Sequence, residues 1–259
     1  MTTTTTLILG GSGKTGRRLV EQLLEKNQKV KVIVRSKERF LTTISSQLSS
    51  TSSNNANLMI TEETLLDMSN QDFLQQVKGC DAIVSCLGHT LDMKGMFGKP
   101  RKLCTDAIKR CYQVIEETHS QRKGQGNKPI KLILMSSNGV ANPNGLDNVR
   151  PLSERILIGI IRALIPPHRD NEAAAAFVYE TIKHDNEHVQ FVAVRPDDLV
   201  DGNVSEYDLF DKPQKGLFGG GTSTRANVAH FMCDLILKPE VWEKWNNKFP
   251  VIMNVPSKE

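Results

Sequence analysis

Apolar runs of strand length alternate with segments of helix length along most of the chain. Strands are predicted at residues 5–10, 29–34, 58–61, 81–88, 131–137 and 189–196. Helices are predicted over 14–26, where leucines recur on one face, and over about 100–118. Strands rich in Val, Ile and Leu that are separated by helices are typical of a parallel sheet covered on both faces. The pattern therefore predicts an α/β protein.

Two stretches interrupt this alternation. Residues 45–57 are polar and of low complexity, which is typical of a surface loop. Residues 196–224 are rich in Asp, Gly and Pro and do not resemble a regular strand–helix unit. A last helix is predicted at 225–237, followed by a short strand. We therefore expect a single domain over 1–259, in which residues 196–259 contribute substrate-side loops, a helix and a short strand.

The composition narrows the class of protein. The chain has 259 residues, of which 39% are hydrophobic, and this suits one α/β domain with a sizeable core. A net charge of +4 without a dense Lys/Arg run argues against a nucleic-acid partner. Five cysteines, none of them in a Cys-x-x-Cys pair, indicate buried reduced thiols. No signal-peptide pattern opens the sequence, so we expect a cytoplasmic protein with no membrane partner.

The longest apolar stretch, 156–167, is too short to span a bilayer and contains Arg162. It has more apolar residues than one buried helical stripe requires. Three explanations stay open for this stretch: a lid over a substrate mouth, a contact between subunits, or plain burial.

The glycine-rich stretch LILGGSGKTGRR, residues 7–18, allows two interpretations. Its GKT could end a triphosphate-binding loop, but such a loop needs a glycine at the position of Ile8. Gly10, Gly13 and Gly16 instead fit a dinucleotide site. One glycine permits a tight turn, one lets the backbone approach a pyrophosphate, and one lets the helix pack closely on the strand. A glycine trio between a strand and a helix favours a Rossmann-type doubly wound parallel sheet that binds a dinucleotide.

The end of the second predicted strand indicates which dinucleotide. NAD-binding proteins tend to place an Asp or Glu there for the ribose 2′-hydroxyl. This chain has Arg35 nineteen residues after Gly16, followed by Ser36 and Arg39. Guanidinium groups can bind a 2′-phosphate, which a carboxylate would repel. The sequence therefore predicts NADP(H), although the charged residues after Ser36 could also simply solvate the start of a helix.

Together the motifs resemble a known superfamily. GGSGKTG, VIVRSKER, LDM, DAIVSCLG, KLILMSS and VAVRP are similar to the atypical short-chain dehydrogenase/reductase superfamily, and in particular to its NmrA-like and biliverdin-IX-beta (flavin) reductase groups. The Arg35-x-x-x-Arg39 spacing matches the NADP-binding pattern of the reductase group. The segment GGGTSTRANVAHFMCDLI, residues 219–236, resembles the C-terminal helix of that group.

The resemblance implies a role for the end of each strand. Asp67 and Met68 would meet the adenine, and Ser136 and Ser137 would face the nicotinamide. For Asp67 a helix-capping role stays open. The residues assigned to the cofactor by the glycine stretch, the second strand and the resemblance are Gly10, Gly11, Ser12, Gly13, Lys14, Thr15, Gly16, Arg35, Ser36, Arg39, Asp67, Met68, Leu87, Gly88, Ser136, Arg195 and Pro196.

Arg195 and Pro196 would flank the nicotinamide amide and the substrate mouth, whereas Leu87 and Gly88 would lie beside the cofactor. Turn geometry alone could account for Gly88, and Ser136 could be a buried strand serine.

The catalytic residues are less clearly marked. Most members of the superfamily use a Tyr-x-x-x-Lys pair, and here only Tyr179 has a lysine, Lys183, four residues later. This pair falls near the far end of its predicted helix, which favours core and surface positions over catalysis. Ser137 could donate a hydrogen bond to an acceptor. The candidate catalytic residues are therefore Ser137, Tyr179 and Lys183. The histidines of HDNEH, 184–188, lack the order of a metal motif, and no metal is expected.

Two functions follow from these features. The first is an NADPH-dependent oxidoreductase that reduces a small planar or carbonyl-bearing acceptor such as a flavin or a quinone. The second is a non-catalytic, NADP(H)-sensing regulator of the NmrA-like kind, which acts through a protein partner. Ala176 occupies the position of a lysine in the NmrA-like pattern, and this favours the regulator. Arg35 and Arg39 favour the enzyme. A homodimer is also open.

Overall fold

An eight-stranded sheet forms the centre of the molecule. The structure, a computed structural model, describes residues 3–44, 56–89, 98–121, 128–147, 151–182, 186–216, 219 and 221–256. The strands of the sheet are β1 (Thr5–Leu9), β2 (Lys29–Val34), β3 (Leu58–Glu62), β4 (Ala82–Ser85), β5 (Ile130–Met135), β6 (Val189–Pro196), β8 (Tyr207–Phe210) and β10 (Val251–Asn254). Their order across the sheet is β3-β2-β1-β4-β5-β6-β10-β8. All neighbouring strands are parallel except β10 and β8.

Helices cover both faces of this sheet. They are α1 (Gly16–Glu25), α2 (Lys37–Thr43), α3 (Asn70–Val77), α4 (Leu103–Gln121), α5 (Leu152–Leu164), α6 (Pro166–Thr181), α7 (Arg225–Leu237) and α8 (Pro239–Trp245). Leu7 and Leu9 of β1 belong to the core formed with α3, α4 and α6, whereas Ile8 belongs to the core formed with α1, α7 and α8. Because side chains alternate along a strand, one apolar strand supplies both cores. The predicted doubly wound parallel sheet is confirmed.

The C-terminal third contributes more to the sheet than the sequence suggested. The predicted helix at 225–237 and the predicted terminal strand are present as α7 and β10. Strand β10 continues the parallel sheet beside β6, and β8 then closes this edge in the antiparallel direction. Two further strands, β7 (Asp198–Val200) and β9 (Thr222–Thr224), form a separate parallel pair. These strands are too short and too polar to stand out in the sequence.

The apolar stretch at 156–167 forms most of α5 and the start of α6. Helix α5 exposes Leu152, Ile156, Ile160 and Leu164, which are spaced four residues apart and are 68%, 57%, 50% and 65% exposed. Burial against the described residues therefore does not explain the apolar residues of this face. In the part of the chain that the structure describes, no helix has the length and apolar character needed to cross a membrane.

The five cysteines are buried free thiols, as the odd number and the spacing predicted. Burial raises the pKa of Cys86 and of Cys111 to about 12, and the pKa of Cys80 to about 11. The predicted surface loop at 45–57 lies, apart from its last two residues, outside the described residues.

Candidate functional site

The sheet has a topological switch between β1 and β4. Strand β1 pairs with β2 on one side and with β4 on the other, and the helices that follow β1 and β4 lie on opposite faces. The loops leaving the two carboxyl ends therefore diverge and open a crevice, which is where open α/β sheets bind ligands. Most residues that the sequence assigns to a cofactor lie in the loops around this crevice.

The glycines of the first loop are required by close backbone approaches. Gly10 has a φ of +78°, and a Cβ on Gly10 would lie 2.7 Å from the carbonyl oxygen of Cys86. A Cβ on Gly16 would lie 2.3 Å from the carbonyl oxygen of Gly10. The turn is closed by Gly13, whose N–H donates to the Gly10 carbonyl at 2.9 Å. Because of these contacts, α1 starts directly against the end of β1, and a side chain at Gly10 or Gly16 would collide with backbone.

Helix α1 starts in a way that suits an anion. Its N-cap residue, Thr15, makes no side-chain hydrogen bond to the helix, and no acidic residue lies in the first turn. The first backbone N–H groups of a helix attract negative charge, and a phosphate can satisfy them. The glycine turn and the uncapped helix therefore fit the pyrophosphate of a dinucleotide.

The carboxyl end of the neighbouring strand β2 carries positive charge. Arg35 is the first residue after β2, and both Arg35 and Arg39 are exposed. Ser36 caps α2, because its hydroxyl accepts a hydrogen bond from the Arg39 N–H at 3.2 Å. The sequence assigned Ser36 to cofactor binding, but its hydroxyl caps a helix. The guanidinium groups of Arg35 and Arg39 are exposed to solvent beside the crevice.

The segment after β4 holds a histidine that the sequence pattern did not mark as a site residue. Leu87 packs against the core and Gly88 is exposed, and His89 follows with a side chain that is only 6% exposed. The Nε2 atom of His89 lies 2.8 Å from a carboxylate oxygen of Asp170, in the second turn of α6. The signal in the sequence was a histidine directly after a strand end. Its partner, 81 residues later, could not be identified from the sequence.

The end of β5 provides two serines with different surroundings. The hydroxyl of Ser136 is buried and has no hydrogen-bond partner among the described residues, so a ligand in the crevice could satisfy it. The hydroxyl of Ser137 accepts a hydrogen bond from the N–H of Gly139 at 3.1 Å, which leaves its own proton for another acceptor. Both serines lie at the edge of the sheet where the sequence predicted them.

Arg195 has a different role from the one the resemblance implied. Its side chain is completely buried and donates to both oxygens of Asp147, at 2.7 and 3.0 Å, and to the carbonyl oxygen of Phe249 at 2.9 Å. The guanidinium therefore joins β6 to the segments beside it and does not face a nicotinamide. The neighbouring Pro196 accepts a hydrogen bond from the Asn138 N–H through its carbonyl oxygen, at 2.8 Å.

These features agree with a match at the level of the family. Residues 10–239 match the model of a family described as NAD(P)H-binding. The chain belongs to this NAD(P)H-binding family. Membership indicates a nicotinamide cofactor, and the glycine turn and the start of α1 supply a fitting pyrophosphate site. No curated protein sequence matches the chain significantly.

Several solved structures have the same fold as this chain, although their sequence identity to it is low. A protein from Lactobacillus casei superimposes with a TM-score of 0.66 at 15% identity, over 97% of this chain and 100% of that chain. The oxidoreductase ylbE from Lactococcus lactis gives a TM-score of 0.64 at 14% identity, over 97% and 91%. The anaerobilin reductase ChuY from Escherichia coli O157:H7 gives 0.62 at 16% identity, over 99% and 100%.

The residues predicted to meet the adenine are only partly available in this NAD(P)H-binding chain. Met68 is 3% exposed and packs into the core, so its side chain does not reach a ligand. Its carbonyl oxygen accepts a hydrogen bond from Arg110. Asp67 is exposed, and it does not cap α3, because Ser69 accepts the hydrogen bond from the Asp72 N–H. Of the two residues, only Asp67 has a side chain that is free of the core.

Tyr179 is not brought to the crevice. It lies near the end of α6, thirteen residues after the helix begins at the crevice side, and its ring packs edge-on against Phe249 with the centroids 6.2 Å apart. Thirteen residues of helix span roughly 20 Å, so Tyr179 lies about that far along α6 from its first residue. Lys183 lies outside the described residues. The geometry favours a packing role for Tyr179.

One exposed carboxylate competes for the basic residues at the start of α1. Asp201 contacts Lys14 at 3.5 Å, Arg18 at 3.1 Å and Arg225 at 3.2 Å. Desolvation opposes ionisation, but the charges of Arg225, Lys14 and Arg18 hold the pKa of Asp201 below its usual value. Lys14 and Asp201 are 65% and 54% exposed, so their ion pair is weak and a phosphate could replace it.

Asp201→Asn should therefore tighten NAD(P)H binding. The substitution removes the negative charge beside Lys14 and leaves three cations near the glycine turn, and we expect the dissociation constant to fall about two- to fivefold. The measurement is a fluorescence titration at low and high salt, since screening should abolish the difference. The control is Glu240→Gln in α8, the helix that follows α7, and this variant should leave the dissociation constant unchanged. Weaker binding in Asp201→Asn would contradict a role of these cations in holding the cofactor.

Proposed function

We propose that the chain is an NADPH-dependent oxidoreductase that reduces a small planar or carbonyl-bearing acceptor, such as a flavin or a quinone. The observation that carries the proposal is the position of Arg35 and Arg39. Both guanidinium groups are exposed beside the crevice, at the end of the strand that neighbours the glycine turn. When bound, the reduced nicotinamide would supply a hydride.

The preference for NADPH follows from charge. In a dinucleotide that lies across the glycine turn, the adenosine ribose falls at the end of the second strand. The first side chain at that position is an arginine, not a carboxylate. Two guanidinium groups can bind a 2′-phosphate through charge-assisted hydrogen bonds, which are about twice as strong as neutral ones.

The proposal of an enzyme is supported by polar groups that line the crevice. Three polar groups follow strands that end at the switch point or next to it: the Ser137 hydroxyl, the imidazole of His89, and the buried Ser136 hydroxyl, which has no partner among the described residues. Such convergent polar groups in a crevice are typical of a binding site for a small molecule. ChuY is an anaerobilin reductase and ylbE is an oxidoreductase, and both agree with this proposal.

A second candidate is a regulator that binds NADP(H) and a protein partner. The observation that favours it is the exposed apolar stripe of α5, formed by Leu152, Ile156, Ile160 and Leu164. Exposed apolar patches of this kind often mark interaction surfaces. The absence of a tyrosine–lysine pair from the described part of the crevice agrees with this second function as well.

Turnover separates the two functions. The purified protein is mixed with NADPH and a panel of flavins, quinones and aldehydes, and the absorbance of the reduced nicotinamide is followed. Steady oxidation with at least one acceptor supports the enzyme. If every acceptor fails while NADP(H) binds tightly, the enzyme proposal is wrong and the regulator is favoured.

Arg35→Asp tests the preference for NADPH. The substitution replaces a cation by a carboxylate where the 2′-phosphate is proposed to lie, so NADPH should bind about 10- to 100-fold more weakly. The affinity for NADH should change less than about twofold, because NADH has a hydroxyl there. Isothermal titration calorimetry with both cofactors measures this, and Arg155→Asp on α5 is the matched control. Equal losses for NADPH and NADH would show that Arg35 does not recognise the 2′-phosphate.

A further inference from the structure

We propose that the exposed stripe of α5 is the contact surface between two copies of this chain, whose α5 helices pack against each other in antiparallel directions. This inference goes beyond the proposed function and does not depend on turnover. A second copy on this surface leaves no place there for a different protein partner, so it would also remove the observation that favours the regulator.

Exposed apolar residues are concentrated on this helix. Nine large apolar residues are exposed in the described part of the chain, and four of them are Leu152, Ile156, Ile160 and Leu164 of α5. The other five belong to other segments. A contiguous exposed patch of apolar side chains often marks a contact with another molecule.

The spacing of the stripe makes it complementary to itself. Residues four apart follow one ridge of a helix, and two helices whose ridges of this kind interdigitate cross at about −50°. The four residues are placed symmetrically about position 158. In an antiparallel pair, Leu152 therefore meets Leu164 of the second copy and Ile156 meets Ile160 of the second copy, and both contacts occur twice. A symmetric dimer needs such a self-complementary surface.

A glycine near the midpoint of the stripe suits a close contact there. Gly159 is exposed in the middle of α5, where glycine weakens a helix relative to alanine. No atom of the described residues lies within 4 Å of the Cβ that another residue would place there, so packing against those residues does not require a glycine. A second helix that crosses α5 at this point explains it, because a small residue lets two helices approach closely.

The area of the stripe fits a dimer of moderate affinity. Two stripes offer eight Leu and Ile side chains, and at roughly 100 Å² for each of them the contact buries about 800 Å². Stable specific interfaces bury about 1,200–2,000 Å² in total. The half-buried Leu157 and Ile161, which lie next to the stripe on α5, and the polar residues around it would supply the remainder. We therefore expect a dimer that dissociates on dilution, with a Kd of roughly micromolar size.

The charged residues beside the stripe do not oppose this pairing. Arg155 and Arg162 are seven residues apart and lie on the same flank of α5, and Arg162 donates to Glu172 at 2.7 Å. The same flanks meet in antiparallel helices, so Arg155 comes opposite the ion pair of Arg162 and Glu172. It therefore approaches a carboxylate as well as a guanidinium.

Ile156→Glu is the first test. Its carboxylate is exposed to water in a monomer but has to be buried without a partner when two copies associate. Sedimentation velocity over a dilution series measures the Kd. We expect the wild type to be dimeric at about 100 µM, and the Kd of the variant to be about 100-fold higher or more, because both copies carry the change. The control is Met59→Glu, at an apolar residue of β3 that is 45% exposed, which should leave the Kd unchanged.

A mixture of two variants tests which residues face each other. Ile160→Lys alone should weaken association, as Ile156→Glu does. When the two variants are mixed in equal amounts, an antiparallel pair brings the new carboxylate opposite the new ammonium group, and the two unchanged isoleucines also meet. The mixture should therefore dimerise with a Kd at least about tenfold lower than that of either variant alone. A parallel pair would give no such recovery.

Gly159→Gln separates the contact from folding. Glutamine is a better helix former than glycine, so the thermal midpoint of the monomer should not fall. Its side chain should hold the two helices apart, and the Kd should rise about tenfold or more. A lower thermal midpoint at a concentration where the wild type is monomeric would show that the chain itself requires this glycine, and would overturn its role in the contact.

The remaining outcomes decide between a second copy and other occupants of the stripe. A wild type that stays monomeric at every concentration would overturn the proposal, and a dimer that survives Ile156→Glu would show that the copies meet elsewhere. No recovery in the mixture would exclude antiparallel pairing. If a monomeric wild type sediments with vesicles of phosphatidylglycerol and phosphatidylcholine, and Ile156→Glu does not, the stripe binds a lipid surface instead of a second copy.

Discussion

Gly10→Ala is expected to lower the free energy of unfolding by about 3 kcal/mol and to prevent NAD(P)H binding. Two effects add at this position. The φ of +78° is unfavourable for a residue with a Cβ, which costs roughly 1–2 kcal/mol. The Cβ would also lie 2.7 Å from the carbonyl oxygen of Cys86. Cys86 directly follows the central strand β4, so the backbone there would have to move to make room. Urea denaturation followed by the fluorescence of the buried Trp242 and Trp245 measures the loss.

Gly79→Ala is the matched control for the conformational effect alone. Gly79 has a φ of +75°, and no atom of the described residues lies within 4 Å of the Cβ that alanine would add. We expect it to cost about 1–2 kcal/mol and to leave cofactor binding unchanged. Equal losses for the two variants would mean that the loop relaxes around Gly10 and that close packing does not require a glycine there.

The parts of the fold that depend on local patterns could be predicted from the sequence. The apolar runs at 29–34 and 189–196 correspond to β2 and β6 as the structure has them, and the last predicted helix corresponds to α7. The spacing of Gly10, Gly13 and Gly16 also located the turn correctly. These features depend on residues that are close in sequence, where periodicity and glycine geometry act directly.

The site residues that depend on distant contacts could not be predicted. His89 and Asp170 are 81 residues apart, and the pair exists only because α6 packs against the start of α4. The resemblance placed Arg195 at the cofactor, but a carboxylate 48 residues away binds its guanidinium inside the protein. Met68 is drawn into the core in a similar way. A position at a strand end therefore predicts that a residue lies near the crevice. Packing with distant parts of the chain decides whether the side chain of that residue faces the crevice.

Asp147→Ala should be among the most destabilising substitutions in the chain. Arg195 is fully buried and donates two hydrogen bonds to the Asp147 carboxylate, whose side chain is 11% exposed. Removing the carboxylate leaves a guanidinium that water cannot reach and that carbonyl oxygens neutralise only in part. Breaking a buried ion pair by removing one partner typically costs about 3–5 kcal/mol, and we expect a loss of that size in urea denaturation.

Glu172→Ala isolates burial as the cause of that loss. Glu172 also receives two hydrogen bonds from one arginine, Arg162, both at 2.7 Å, but this arginine is 53% exposed. Water can hydrate Arg162 once its partner is gone, so the loss should stay below about 1 kcal/mol. Both pairs join one arginine to both oxygens of one carboxylate, and they differ most in access to solvent. Each carboxylate has one further contact, the Asn142 N–H at 2.7 Å for Asp147 and the imidazole of His168 at 3.3 Å for Glu172. If Asp147→Ala cost no more than Glu172→Ala, Arg195 would have to be solvated or mobile, and its guanidinium would again be a candidate for the nicotinamide side of the crevice.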